Sequence, residues 1–197
     1  MPVVRPLEEA EIDPDLLAEV QFFKGPLGVI PNSVRTMAHR PEIARAFTAL
    51  NRAVMAPQGA VTPEFKRILG YVSSYASGCR YCQAHMILAS ERFGASEERL
   101  ADAWAFEDSA AFSAAEKAAL RFAHAATQQP NAVTEEIGAA LRDHWSEGGI
   151  VEIMAVVALF GYLNRWNDSM GSALEELPRA AAEARLGASG WEIGKHG

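Results

Sequence analysis

The sequence predicts an all-α protein. Three observations carry this: Ala, Leu and Glu are abundant, alternating strand patterns are absent, and helix-start and helix-stop signals recur along the chain. A first helix starts near Asp13-Pro14, with proline at a tolerated first-turn position, and stops by Gly25-Pro26. The stretch 25–32 is then an apolar loop, expected to pack against a surface. A second helix runs from Pro41 to Met55, and Pro57-Gln58-Gly59 ends it. A third begins near Thr62-Pro63-Glu64, places Ile68, Leu69, Val72 and Tyr75 on one face, and breaks or bends at Ser77-Gly78. A fourth extends to Phe93, with Gly94 as its stop.

A short helix follows from Glu97 to Trp104. Ser113 and Glu116 have capping-box spacing and open a helix to Gln128, which Pro130-Asn131 closes. Thr134 can cap the next, which ends at Gly148-Gly149. The last long helix, Ile150 to Met170, is apolar nearly all round from Ile153 to Leu163, as a central core element or a subunit interface would be. The tail from Leu186 to Gly197 is rich in glycine and is expected to lie over a neighbour or fray. No shift in composition marks a boundary. The expected organisation is one domain over residues 1–197: a helical extension to about 56, a core from about 60 to 175, and a tail from about 176.

The chain has 197 residues, enough for one sizeable core. Eighteen basic against 25 acidic side chains leave a formal charge of −7 and a pI near 5.3. An acidic chain without a basic stripe is a poor ligand for nucleic acid or an anionic membrane. The first fifteen residues hold no apolar run of secretion-signal length, and the run 153–163 is too short to span a bilayer. The expected location is cytoplasmic, where a cysteine pair is more often catalytic or metal-binding than structural.

That pair lies in Cys79-Arg80-Tyr81-Cys82-Gln83-Ala84-His85, which contains the only two cysteines. Gly78 places Cys79 near a helix start, where partial positive charge stabilises a thiolate and lowers thiol pKa values. His85 follows Cys82 by three positions and shares its helix face, whereas Cys79 is nearly two turns from it. The spacing therefore favours Cys82 as the thiol activated toward a small substrate. Cys79, nearer the tip, is the candidate to resolve the intermediate and meet an external reductant. Other readings remain: two buried reduced thiols, half of a metal site, or a structural disulfide. The metal reading lacks a second cysteine pair, and His39, His124, His144 and His196 form no ligand motif. A disulfide across so short a loop constrains little chain entropy.

Asn164-Arg165-Trp166-Asn167-Asp168 is the other concentration of polar side chains. Asn164 and Asp168 could line a pocket beside the motif; the plainer reading is an Arg165–Asp168 helix-end ion pair with Trp166 packed. Trp104, Phe106 and Phe112 read as anchors for a connecting segment. Without strands there is no place for a strand-borne phosphate loop, and no nucleotide or other cofactor is expected.

The segment Ser77-Gly-Cys-Arg-Tyr-Cys-Gln-Ala-His85, set after an amphipathic helix, resembles the carboxymuconolactone decarboxylase superfamily, in its alkylhydroperoxidase D-like, peroxidase-related branch. Asn164 to Asp168 and Gly190-Trp-Glu-Ile-Gly-Lys-His196 carry the same likeness, which covers most of the chain. The resemblance implies an all-α alkylhydroperoxidase D-like fold assembled as trimers or hexamers. It also implies thiol peroxidase activity with Cys82 peroxidatic, Cys79 resolving and His85 relaying protons. Two departures stand out. The histidine usually follows the second cysteine by four positions, not three, and Arg67 occupies the place of the expected relay glutamate. Glu64, one turn earlier, is the candidate substitute. The decarboxylase branch lacks the redox pair. The expected function is a thiol-dependent peroxidase or disulfide oxidoreductase, taking a small hydroperoxide and regenerated by a dithiol reductant or partner protein. The alternative is a non-catalytic redox sensor or assembly protein.

Overall fold

The computed structural model describes residues 2–197, and among these it contains no strand. The helices are α1 (Pro14–Val20), α2 (Lys24–Leu27), α3 (Asn32–Met37), α4 (Pro41–Val54), α5 (Pro63–Ala76), α6 (Arg80–Arg92), α7 (Glu97–Asp102), α8 (Ala114–Thr127), α9 (Glu135–His144), α10 (Glu147–Met170) and α11 (Glu176–Leu186). Their starts follow side-chain capping. Asp13 accepts from the Leu16 amide at 3.0 Å, Thr62 from Phe65 at 3.2 Å, and Ser113 and Glu116 form the capping box.

The centre is the α5–α6 hairpin. Both helices are buried over most of their lengths, and α10, α8 and α11 pack around them. Gly70 on α5 sets how closely α10 approaches, because a Cβ there would lie 2.5 Å from the Phe160 ring. The α10 core face is Ile153, Val156, Val157, Leu159, Phe160 and Leu163. By length and composition α10 could cross a membrane; here it is a central packing element that also leaves Val151 (67 %), Met154 and Tyr162 exposed.

Several boundaries differ from the sequence reading. Gly25-Pro26 does not stop a helix: α2 runs through both, and Gly28, at φ 77°, provides the left-handed stop. The stretch after it includes α3, too short to show periodicity. Gly148-Gly149 does not end a helix either. Ser146 caps α10 through the Gly149 amide, and Gly149 lets Trp145 and Ala60 come within 3.1 and 3.4 Å of its missing Cβ. The segment 176–186 is a helix packed on α6 and not part of a loose tail. Tyr75, expected in the core, is 37 % exposed and stacks on Trp104 at 3.9 Å, while Phe106 and Phe112 are buried anchors as read.

Gly70→Ala should destabilise the fold by roughly 1–3 kcal/mol, since Phe160 must shift within a packed core. Urea denaturation of the two proteins checks this, and an unchanged midpoint would contradict the close approach.

Candidate active site

Gly78 adopts φ 74°, a left-handed turn that suits glycine, and reverses the chain between α5 and α6. The Cys79 amide then donates to the Ser74 carbonyl at 3.0 Å, and Cys79 becomes the N-cap of α6. Cys82 follows one turn later. Both are free thiols, and both are buried. Cys79, read as the thiol nearer the helix tip, is fully enclosed: α10 and α11 pack on the hairpin, and an external reductant would reach this sulfur only after a movement.

The thiol pKa expectation is corrected as well for Cys82. Burial pushes this thiol well above its ordinary value, and the neighbouring Cys79 thiol adds to the rise. The Asn167 amide donates to Cys82 Sγ at 3.3 Å and opposes it. Cys82 thus rests as a neutral thiol with one donor already aimed at the sulfur.

His85 lies one turn beyond Cys82 and is buried. Its Nδ1–H donates to the Tyr81 carbonyl at 3.0 Å, and the ring stacks on Tyr81 at 4.4 Å. Nε2 lies 3.0 Å from Glu175 Oε2, although the two atoms are not aligned for a hydrogen bond. Glu175 Oε1 accepts from Tyr81 Oη at 2.9 Å and from the Asn32 amide. Burial raises the pKa of Glu175, but the adjacent His85 and the Asn32 and Glu175 backbone amides outweigh it, and the net shift is downward. Burial and the Glu175 charge push Tyr81 well upward, so it stays a neutral donor.

The carboxylate facing His85 is therefore Glu175. Glu64 sits elsewhere: Arg99 holds it at 2.9 and 3.2 Å and also holds Glu116, in a cluster that joins α5, α7 and α8. Nothing in the local sequence marks Glu175 as a partner of a histidine 90 positions away; ahead of Pro178 it reads as a helix start.

The polar end of α10 contributes to the site, but through Asn167. Asn164 Nδ2 points to Ser77 Oγ at 3.1 Å, and Asp168 pairs with Lys195 at 2.9 Å instead of Arg165. Asn164 and Asp168 line a separate polar groove with Gln128 and Asn131, and neither cysteine borders it. Trp166 packs against Tyr162, as read.

Cys82, His85 and Asn167 border an apolar pocket walled by Phe22, Phe23, Phe47, Tyr81 and Phe160, with free space of about 60 Å³. Arg67 also lines it. Among the described residues no group of three or more His, Cys, Asp or Glu is placed to hold a metal ion. A nucleophilic sulfur, a second thiol in hydrogen-bond reach, a proton-carrying His–Glu pair and an apolar chamber together equip the site to reduce a small electrophile by two electrons.

The carboxymuconolactone decarboxylase family matches residues 41–125. No curated protein sequence matches. Among solved structures, the debrominase Bmp8 shares 34% identity over 91% of this chain and 96% of its own, with a TM-score of 0.86. A cysteine-to-alanine variant of that debrominase, in complex with 2,3,4-tribromopyrrole, gives 32% identity, coverage of 92% and 96%, and a TM-score of 0.87. A peroxidase-related protein with an alkylhydroperoxidase core from Ralstonia eutropha JMP134 shares the fold at 24% identity, covering 89% and 94%, with a TM-score of 0.75.

Two outcomes check the site. Alkylation of Cys82 in the reduced protein should have a pH midpoint above 9.0, and Asn167→Leu should move it higher; iodoacetamide labelling read by mass spectrometry measures both. Glu175 has a folded pKa below 4.5, so its stabilisation is present above about pH 4.5 and fades as pH falls through the lower folded value. Glu175→Gln should cost roughly 2 kcal/mol at about pH 7, and its difference from wild type should shrink on acidification to about pH 3. Urea titrations at both pH values report it, and a constant difference would contradict the assignment.

Proposed function

The chain belongs to the carboxymuconolactone decarboxylase and alkylhydroperoxidase D-like superfamily, and on that premise we propose that it is a dithiol-dependent reductase that removes halogen from a small aromatic ring. The observation that carries this reading is the Cys82 thiol opening onto an aromatic-walled pocket with a second thiol behind it and the His85–Glu175 pair beside it. Likeness to a debrominase along nearly the whole chain supports it. The balance is one aryl bromide and two thiols giving the hydrogen-substituted ring, a disulfide, bromide and a proton. Cys82 sulfur bonds to bromine as the carbon–bromine bond breaks, and the ring carbon takes a proton. Cys79 sulfur then displaces bromide, closing the disulfide.

His85 manages the protons. Its Nδ1–H is committed to the Tyr81 carbonyl, so Nε2 is the atom that takes and returns a proton, next to the Glu175 charge. Asn167 steadies negative charge on Cys82 sulfur as it develops. The pocket is apolar enough to exclude water from the sulfur–bromine intermediate. Its space is below the roughly 150 Å³ of a cavity that takes benzene, so a ring is admitted by movement of flexible side chains such as Met55 and Met86.

A second reading keeps the same residues with a hydroperoxide as substrate. It is favoured by the Cys-x-x-Cys pair and by the fold shared with a peroxidase-related protein. Here Cys82 sulfur takes the terminal peroxide oxygen, an alcohol leaves, and Cys79 condenses with the sulfenic acid to give water and a disulfide. Either cycle needs a dithiol donor, which suits a reducing, cytoplasmic setting. The exposed Val151, Met154 and Tyr162 on α10 support assembly with further copies of the chain, consistent with the trimer or hexamer the resemblance implies.

With dithiothreitol as donor, the protein should release bromide from 2,3,4-tribromopyrrole faster than it consumes cumene hydroperoxide. Cys82→Ser should abolish turnover, a loss of about 1000-fold or more, and Cys79→Ser should leave a single turnover unless external thiol resolves the intermediate. The reverse order of substrates would favour the peroxidase reading, and full activity in Cys82→Ser would remove both.

A further inference from the structure

We infer that the pocket takes a substrate carrying an anionic group at the end remote from Cys82, and that the Arg67 guanidinium receives that group. The inference rests on the reductase reading and names the substrate class of the same site.

Arg67 is 95 % buried at 5 % exposure, and it lines the pocket together with Cys82. Its Nη1 donates to the Pro63 carbonyl at 2.7 Å, and its guanidinium lies 3.7 Å over the Phe93 ring. The other guanidinium N–H groups have no protein acceptor, and no carboxylate pairs with Arg67 among the described residues. Two neighbouring basic groups do have partners: buried Lys66 meets Glu152 and the Ala56 carbonyl, and half-buried Arg99 meets Glu64 and Glu116. A guanidinium taken from water without a counter-ion is costly, and such groups in folded proteins are ordinarily paired. Burial lowers its pKa to about 10, which still leaves it charged near neutral pH.

Position sets the geometry of the ligand. Phe93, under the guanidinium, follows Cys82 by eleven residues and does not border the pocket, whereas Met86 and Ala89, four and seven residues after Cys82 on α6, do. The cation thus lies toward the C-terminal end of α6 from the sulfur, and Met86 and Ala89 of α6 line the same pocket. A ligand that fits is an apolar body with the reacting halogen or peroxide at one end and a carboxylate or similarly acidic group at the other. The planar fork of arginine matches a carboxylate through two parallel hydrogen bonds.

The test is a binding measurement that needs no turnover. In the reduced Cys82→Ser protein, calorimetry compares 4-bromophenylacetate with its uncharged amide, 4-bromophenylacetamide. The carboxylate should bind at least about tenfold tighter. Arg67→Met should erase that preference while the affinity for the amide changes less than about threefold. Arg67→Gln keeps a donor for the Pro63 carbonyl without the charge and should behave likewise; thermal melting by circular dichroism shows that each variant is folded. A Cys82→Ser protein with Arg67 intact that binds both probes alike, or neither, overturns the anion subsite, as does a preference that survives loss of Arg67. These results are independent of bromide release, so the subsite and the thiol chemistry can fail separately.

Discussion

The Glu175 carboxylate ties together parts of the chain that are far apart in sequence. One oxygen takes the Asn32 amide at the start of α3 and the Tyr81 hydroxyl of α6, and the other faces His85, while Glu175 itself leads into α11. Such a buried anion is tolerable only because it has several donors. Each of those donors is in turn fixed by the anion. The α3 segment that walls the pocket, the buried His85 ring and the helix that covers α6 all meet at one charge. The same interaction serves stability and chemistry, so a neutral replacement affects both.

The sulfur is governed by an opposed pair of demands. In the proposed chemistry an enclosed apolar chamber would keep water from a reactive sulfur intermediate, but it raises the thiol pKa and suppresses the thiolate. Asn167 offsets part of that suppression, and in the proposed cycle His85 takes the proton. The enclosure of Cys79 follows the same logic. In the proposed cycle a resolving thiol out of contact with water would meet only the intermediate on Cys82, and regeneration would require the protein to open. Arg67 adds a charge to the lining of the chamber. It has no carboxylate partner, and the inferred anion subsite rests on that.

Much of this was legible in the sequence because it is local. Helix caps such as Thr62 and Ser113 act within one turn, the left-handed turn at Gly78 follows from glycine alone, and the Cys79–Cys82–His85 spacing sets their relative placement on one helix. The all-α class follows from the same local rules, while Arg67 in place of a relay carboxylate is a departure read only against the family resemblance.

What only the tertiary structure decided are the pairings between distant elements. Glu64 and Glu175 are equivalent as side chains; Arg99 lies beside one and His85 beside the other, and that is settled by how α7 and α11 pack. Asn167, not Asn164 or Asp168, meets the sulfur because the rotation of α10 against α5 depends on where Phe160 meets Gly70. The pKa of Cys82 turns upward because burial outweighs the Asn167 hydrogen bond to its sulfur, and neither burial nor that partner is readable from spacing. Sequence spacing determines which residues share a helix face, whereas burial and cross-helix partners come from the packing of the whole chain, and it is these that set the charge and reach of each group in the site.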